Sequence, residues 1–375
     1  MPSKYCGDEL RKTIKSIRDG TFEYENREPK KRNWIQYDYA QIKEIANYLE
    51  NLRYLVDEAN KRIQERTLPK KRGPGRPPID SPHIAKILLL QTYTASPNRV
   101  AEGLLLLFRE KLKISEHFSY KTIERGYDRE AVIEILDEII EITNESVEGK
   151  ETTFSFDGTG FSASNKENYA AKRQMQNSQK NNKKSEAESC EQKNDSFPES
   201  NLKMGFSYAV MGVGVQHKLI SGMAVSPDHS IGETTMFPEA YNQTLVCHPN
   251  LEKVLGDGIY GVRKITDLVS GYNATPYFLP RSNVTFKSKG YSGWYEMLFS
   301  LCNDTQNWLE EYHMRSISET VNSMVKCRFG NILRKKLDSR KKTETTLRLV
   351  AHDIRRVGYL AVMGEIEPLW YLKGA

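Results

Sequence analysis

Three acidic residues far apart in the sequence lie in contexts that suit metal binding. Asp157 and Asp257 each follow a short apolar run and precede a glycine, as expected where a buried strand ends in a turn. Glu319 lies in a stretch with helical periodicity. Carboxylates that meet at one site repel each other unless cations neutralise them, and Mg²⁺ and Mn²⁺ prefer oxygen ligands. The three residues are therefore candidate metal ligands, although a strand-end cap is the alternative for either aspartate taken alone.

Two divalent cations would give such a site a defined chemistry. Held roughly 3.5–4 Å apart, one activates a water molecule or a 3′-hydroxyl and the other stabilises the leaving oxygen of a phosphodiester. We therefore predict two Mg²⁺ ions, with Mn²⁺ as the alternative metal. The sequence has no convincing Ser-His-Asp or Cys-His arrangement, and its five scattered cysteines form no CxxC pair that would indicate zinc.

The stretch around Glu319 combines that carboxylate with basic and aromatic residues. If the stretch is helical, one face carries polar side chains at spacings of three or four, namely Tyr312, Arg315, Glu319, Asn322 and Lys326. An ordinary ion-pair ladder on a surface helix is one interpretation. The spacing Y-x2-R-x3-E-x6-K, however, resembles the third catalytic block of insertion-sequence DDE transposases with the YREK signature.

This resemblance implies roles for the residues that match. Glu319 would be the last metal ligand, and Tyr312, Arg315 and Lys326 would contact transposon-end DNA. The sequences FDGTGFS and GDGIYG resemble the first and second family blocks, which makes Asp157 and Asp257 the other two catalytic, metal-binding acids. The sequence IRRVGYL, which begins at residue 354, resembles the closing helix that carries the family's paired arginines.

The resemblance covers about residues 152–360 and also departs from the family pattern. The second block commonly carries a lysine after its aspartate, where this chain has Gly258. Asp228 and His229 resemble a family HD element and are expected to be supporting residues. Trp294 or Trp308 could stack on an extruded base, with core packing as the alternative for both.

The charge distribution favours a polyanionic partner. The net charge is +6, and twelve Lys or Arg against four acids lie between residues 312 and 356. Concentrated positive charge around the candidate site suits nucleic-acid binding, whereas a solvated basic helix pair is the alternative. No apolar run approaches the roughly 20 residues needed to cross a bilayer, so we expect no membrane partner and a cytoplasmic location.

The chain divides into predicted regions with different compositions. They are an N-terminal helical region at 1–66, a basic linker at 67–80, a helical DNA-binding domain at 81–150, a catalytic domain at 151–363 and a C-terminal tail at 364–375. Within the catalytic domain, residues 165–200 lack branched aliphatic side chains and are predicted to be disordered. Residues 281–307 are predicted to be a loop-rich insertion.

Three features of the N-terminal half point to DNA binding or pairing. A seam of apolar residues at heptad spacing runs from Ile42 to Ile63 and could pair two protomers or pack within its own domain. The linker sequence around Arg76 resembles an AT-hook, with a plain basic linker as the alternative. Residues 115–129 resemble a helix-turn-helix whose second helix starts at Ser119 and exposes Lys121 and Arg125; a plain helical bundle is the alternative.

The order of elements in the C-terminal half predicts a mixed α/β domain. An Asp-bearing strand, a hairpin around Gln216 and His217, a helix, a second Asp-bearing strand, a helix and a strand precede the Glu319 helix. The resemblance implies that this is a ribonuclease H-like, mixed-sheet catalytic domain, preceded here by an all-α DNA-binding region.

The resemblance also implies a function. A transposase of this kind would bind the terminal inverted repeats of an insertion sequence, cleave the double-stranded DNA with two metal ions and join the 3′-hydroxyl ends to target DNA. We expect a homodimer in the DNA complex, because two transposon ends must be held together. Two alternatives remain, a catalytically inactive DNA-binding protein derived from a transposase and a ribonuclease H-like nuclease without strand transfer.

Overall fold

The computed structural model describes residues 7–23, 33–67, 79–162, 206–228 and 230–367. Its helices are α1 (Gly7–Arg18), α2 (Trp34–Arg66), α3 (Ser81–Tyr93), α4 (Asn98–Phe108), α5 (Tyr120–Gly126), α6 (Glu130–Glu145), α7 (Glu233–Cys247), α8 (Arg263–Gly271), α9 (Ser292–Asn303), α10 (Thr305–His313), α11 (Ser316–Phe329) and α12 (Asp338–Val362). None of these helices is long and apolar enough to span a membrane. Arg76, His229 and the predicted insertion at 165–200 lie outside the described residues.

Five strands form one mixed sheet. They are β1 (Thr153–Ser162), β2 (Phe206–Gly214), β3 (Ile220–Ser226), β4 (Lys253–Gly256) and β5 (Thr275–Phe278). Their order across the sheet is β3-β2-β1-β4-β5. β2 runs antiparallel to both β1 and β3, while β4 runs parallel to both β1 and β5. The predicted hairpin and the mixed α/β architecture are therefore confirmed.

Helices cover both faces of the sheet. On one face, side chains such as Met211 and Phe161 join a cluster with α2, α3, α6, α11 and α12. On the other face, Phe154 and Phe156 join a cluster with α7, α8, α9 and α10. Since successive side chains of a strand point to opposite faces, Asp157 lies on the α11 side of β1 and Gly158 lies on the α7 side.

The N-terminal helices pack onto both clusters. α1 lies within the predicted N-terminal helical region, and its Leu10 and Ile14 are buried in the α7 cluster. In α2 the second half of the apolar seam, from Leu49 to Ala59, is buried within the chain's own core. Ile42 and Ile45 are 78% and 59% exposed. Most of the seam therefore packs within the chain, as the alternative interpretation held.

Several predicted boundaries were wrong. β1 does not end at Asp157 but continues to Ser162, because β2 pairs with it as far as Ser162 opposite Phe206. The segment predicted to be loop-rich contains α9. The buried side chains of this helix are apolar and include Trp294, Met297, Leu298 and Leu301. Residues 114–119 form no helix before α5, so the first helix expected for the helix-turn-helix is missing at that position.

Candidate active site

The parallel pairing of β1 and β4 brings the two aspartates to one edge of the sheet. The ladder ends where Phe156 lies opposite Gly256, so Asp157 and Asp257 are the next residues on neighbouring strands. Asp257 is exposed and its Oδ1 accepts a hydrogen bond of 2.7 Å from the backbone N–H of Gly258. Asp157 is half-buried. Strand pairing thus provides the juxtaposition that the sequence could only suggest.

α11 adds the third predicted acid to the same edge. Asn322 donates a hydrogen bond of 2.7 Å from Nδ2 to Asp157 Oδ2. Glu319 lies one turn earlier on α11, where Arg315 Nη1 donates to its Oε1 at 2.7 Å. Burial, followed by the charges of Glu233 and Glu319, raises the pKa of Asp157 to about 6, against the hydrogen bonds from Gly158 and Asn322. Three carboxylates therefore interact at one place.

The helix that carries the signature is interrupted at Arg315. Backbone N–H groups there bond three residues back, from Arg315 to Tyr312 and from Ser318 to Arg315, so α10 ends before α11 begins. The hydroxyl of Ser155 on β1 donates to the Arg315 carbonyl at 2.9 Å. A strand side chain that bonds a helix carbonyl is an identifiable cause of such a break. The prediction of one continuous helix was therefore wrong, although the contact fixes α11 to β1.

The basic and aromatic signature residues surround the acids in different ways. Tyr312 is only 5% exposed and stacks on Trp308 with ring centroids 5.2 Å apart. The Arg315 guanidinium lies 5.4 Å from the Tyr312 ring centroid. Burial lowers the pKa of Lys326, and the charge of Asp157 opposes this effect. Arg315 and Lys326 therefore line the site, while the burial of Tyr312 favours a supporting role over the predicted DNA contact.

A fourth acid that sequence reasoning missed reaches this edge from the other side of the sheet. Glu233 is the first residue of α7, and its Oε2 accepts a hydrogen bond of 3.2 Å from the Tyr260 hydroxyl. Its effect on the pKa of Asp157 exceeds that of Glu319. Only its position just after the predicted hairpin could have drawn attention to it. We call Asp157, Glu233, Asp257 and Glu319 the acidic edge.

Gly258 departs from the family pattern for a steric reason. A Cβ at this position would lie 2.7 Å from the backbone oxygen of Leu279. Arg18, at the end of α1, donates to the Pro280 carbonyl at 2.8 Å, and its Nη2 would lie 3.3 Å from that same Cβ. The guanidinium of Arg18 on α1 therefore lies beside the position where a side chain at residue 258 would begin. No feature of the sequence indicates this contact.

Two further predicted DNA-binding residues lie on α5, which packs against α3 and α4. Lys121 and Arg125 are both exposed on α5, while Glu124 between them pairs with Lys335 and Arg340. Arg76 lies outside the described residues.

The paired arginines and the tryptophans make structural contacts. Arg355 pairs with Glu44 at 2.6 Å, and Arg356 donates to the His217 carbonyl at 2.7 Å. Trp294 and Trp308 are 5% and 2% exposed, as core packing requires. In this structure neither tryptophan presents a face for base stacking.

The acidic edge has the donor chemistry of a site for hard divalent cations. It offers carboxylate oxygens, and in the described part of the chain no cation forms an ion pair with Asp157, Glu233 or Asp257. Among the described residues, the only group of three or more His, Cys, Asp or Glu whose ligand atoms all lie within 4.8 Å of one another is Asp80, His83 and Glu116, near the start of α3. The four carboxylates of the acidic edge are thus more widely spaced. Their oxygen atoms are nevertheless the type of ligand that Mg²⁺ and Mn²⁺ prefer.

Comparison with known proteins finds similarity to a transposase. Over 320 residues the chain is 26% identical to the probable transposase for insertion sequence element ISA1214 of Archaeoglobus fulgidus, a match that covers 84% of this chain and 86% of that protein. No protein-family profile matches the chain. No solved structure matches it either. The similarity covers most of both chains and supports kinship with an insertion-sequence transposase.

Proposed function

We propose that this protein is a DDE transposase that cleaves and joins DNA at the ends of an insertion sequence. The observation that carries the proposal is the junction of β1 and α11, where Asn322 binds Asp157 and Glu319 raises its pKa. That junction unites two acids of the family pattern at the sheet edge that also holds Asp257. The transposase similarity over most of the chain supports the same proposal.

The topology is consistent with a ribonuclease H-like catalytic domain. Three antiparallel strands are followed by two parallel ones in the order β3-β2-β1-β4-β5, with helices on both faces. The acidic residues lie on the central strand, on its parallel neighbour and on a later helix. This is the arrangement that the family resemblance implies.

Mechanism. Asp157, Asp257 and Glu319 would hold the divalent cations, two in the proposed reaction. When bound, these cations activate the attacking water or 3′-hydroxyl and stabilise the leaving oxygen. Asn322 fixes the orientation of Asp157 through its hydrogen bond. Arg315 orients Glu319 through the hydrogen bond that its Nη1 donates. Its other N–H groups are suited to bind a phosphate group with two parallel hydrogen bonds.

The DNA would extend from the acidic edge across basic surfaces. Lys326 supplies a positive charge beside Asp157, and Lys121 and Arg125 supply two exposed cations on α5. We assign these residues, with Arg76, to the double-stranded DNA of the terminal inverted repeats and target. A homodimer would hold two ends together in the complex, and the proposed location is the cytoplasm, where chromosomal DNA would be accessible.

The test is cleavage of DNA that carries the sequences flanking the protein's own gene, with Mg²⁺ or Mn²⁺. We expect metal-dependent nicking at the element boundaries followed by joining of the 3′ ends. Glu319→Gln should abolish both steps while DNA binding persists. Glu296→Gln, at an exposed glutamate of α9, is the matched control and should retain activity.

Two other outcomes separate the alternatives. Binding without cleavage by the folded wild type, with both metals and several DNA forms, would identify an inactive DNA-binding protein. Metal-dependent cleavage without joining would identify a nuclease that lacks strand transfer.

A further inference from the structure

Glu233 reaches the acidic edge through a gap that Gly158 leaves in β1. A Cβ built on Gly158 would lie 2.3 Å from the carboxyl carbon of Glu233 and within 2.6 Å of both its oxygens. Real Cβ atoms do not approach other heavy atoms so closely, so the carboxylate occupies the space of a side chain. The residue after Asp157 must therefore be glycine for Glu233 to stand where it does.

This gap brings together two acids from opposite sides of the strand. Asp157 lies on the α11 side of β1, whereas Gly158 faces α7, and a side chain at position 158 would take the space that the Glu233 carboxylate fills. With glycine there, Glu233 is the largest charge influence on Asp157. A close approach of two carboxylates is unfavourable by itself, so a fold that creates it must gain from something else at the site.

The neighbours of Glu233 hold it in place without neutralising it. Its described hydrogen-bond donor is the hydroxyl of Tyr260 at 3.2 Å, a neutral group whose ring is fully buried. The described residues provide no ion pair to Glu233, in contrast to Glu319 with its Arg315. An oriented carboxylate without a cationic partner is the kind of group that a metal ion binds.

A role for Glu233 in α7 alone does not account for these contacts. An acidic residue in the first turn of a helix is favoured by the helix dipole, and Glu233 has that position. The dipole effect would be the same for a side chain directed into solvent. It requires neither the glycine in β1 nor the buried tyrosine hydroxyl.

We infer that Glu233 is a fourth metal-binding carboxylate, which acts with Asp157 and is admitted by Gly158 and oriented by Tyr260. The inference rests on the proposed function, because the metal is the one that the transposase reaction requires. It adds a residue that the three-acid pattern does not contain, and it gives Gly158 a function.

The experiment measures Mn²⁺ binding by the full chain without DNA, by calorimetry and by the electron paramagnetic resonance of free Mn²⁺. We expect Glu233→Gln to weaken binding about tenfold or more, at least the loss that follows removal of a supporting ligand partner. Glu239→Gln, at an exposed glutamate two turns further along α7, should bind as the wild type does. Tyr260→Phe should give a smaller loss, because it removes the orienting hydrogen bond and keeps the carboxylate.

Gly158→Ala provides a second, independent test. The added methyl group must move the Glu233 carboxylate from its position, so this variant should lose Mn²⁺ affinity, by no more than Glu233→Gln does because the carboxylate is kept on a flexible side chain. The double variant with Glu233→Gln should be no weaker than the single ones, because both changes remove the same ligand. If Glu233→Gln does not fold, as judged by circular dichroism, the comparison of Gly158→Ala with wild type decides the question.

Asp157→Asn separates failure of this inference from failure of the proposed function. If Asp157→Asn weakens Mn²⁺ binding but Glu233→Gln and Gly158→Ala do not, Glu233 is no ligand and the three-acid site stands. If Asp157→Asn also leaves Mn²⁺ binding unchanged, the metal site and the proposed function are both overturned.

Discussion

The acidic edge and the contact between α5 and α12 both contain several acidic side chains, but the hydrogen-bond and ion-pair partners of these side chains differ. At the α5 contact, Glu124 pairs with Lys335 at 2.9 Å and with Arg340 at 2.6 Å, and Arg340 also pairs with Asp128 at 2.6 Å. At the acidic edge, Asp157 receives its side-chain hydrogen bond from a neutral amide and Glu233 receives one from a neutral hydroxyl.

The difference distinguishes structural acids from acids available to a ligand. Glu124 and Asp128 form ion pairs that join two parts of the chain, whereas at the acidic edge the one described ion pair, between Arg315 and Glu319, lies within four residues of one segment. Carboxylates that the fold orients with neutral donors keep their charge, and their mutual repulsion is relieved only by a cation from solution. This difference is consistent with the metal site proposed for the acidic edge, whereas Glu124 and Asp128 attach α5 to α12.

The largest expected effect is that of Asp157→Asn on DNA cleavage. The substitution preserves the shape of the side chain and its contact with Asn322 but removes the charge that binds metal. We expect metal-dependent cleavage to fall by more than about a hundredfold, beyond the usual effect of losing a supporting partner. Asp267→Asn, at a half-buried aspartate of α8, is the control. Full cleavage by Asp157→Asn would remove the acidic edge from the mechanism.

Glu124→Gln should instead destabilise the fold. Lys335 is 7% exposed and would lose its charged partner, and breaking such a pair leaves a poorly solvated ammonium. We expect a loss of about 2 kcal/mol in the free energy of unfolding, below the full range for buried pairs because Glu124 is half-buried. Urea unfolding measures this loss, and Glu130→Gln, at the exposed first residue of α6, is the control. No loss would show that the α5 contact is not a structural pair.

The sequence pointed to three of the four carboxylates of the acidic edge, and their catalytic role stays a prediction. Asp157, Asp257 and Glu319 could be found because each lies in a short sequence pattern that can be recognised without knowledge of the fold. Glu233 could not be found, because its significance depends on the packing of α7 against β1 at a glycine. The same holds for Arg18, which reaches the site only because Leu10 and Ile14 bury α1 in the catalytic core.

The fold shows the same division between local and long-range information. Helix and strand positions followed from periodicity, as for α2, α3 and the β2–β3 hairpin. The errors arose where tertiary contacts overrode local signals. β1 continues past its glycines because β2 pairs with them, and the signature helix breaks because Ser155 binds the Arg315 carbonyl.

Lys121 and Arg125 test whether the exposed side of α5 binds DNA while Glu124 on the same helix holds α12. Lys121→Ala and Arg125→Ala should each reduce the dependence of log affinity on log salt by about one, and together by about two, if each neutralises one phosphate. Stability should not change, since neither residue forms a described ion pair. Lys150→Ala, at an exposed lysine after α6, is the control. Unchanged salt dependence would exclude α5 from the DNA interface.

The smallest expected effect is a gain in the unfolding free energy of the metal-free protein on substitution of Asp157 by asparagine. Because the folded-state pKa of Asp157 is raised to about 6 by burial and by neighbouring carboxylates, the folded chain binds this proton more tightly than the unfolded chain. Stability from this group is therefore present below the ordinary aspartate pKa and is lost as pH rises through about 6. In EDTA at pH 7.5, Asp157→Asn should be more stable than wild type by about 1 kcal/mol, a value reduced from the full shift for solvent screening. Its unfolding free energy should also change less between pH 4.5 and pH 7.

Added Mn²⁺ should reverse the order of stability by stabilising only the wild type. If Asp157→Asn is less stable in EDTA, Asp157 is a structural acid like Glu124, and the distinction between the two regions fails.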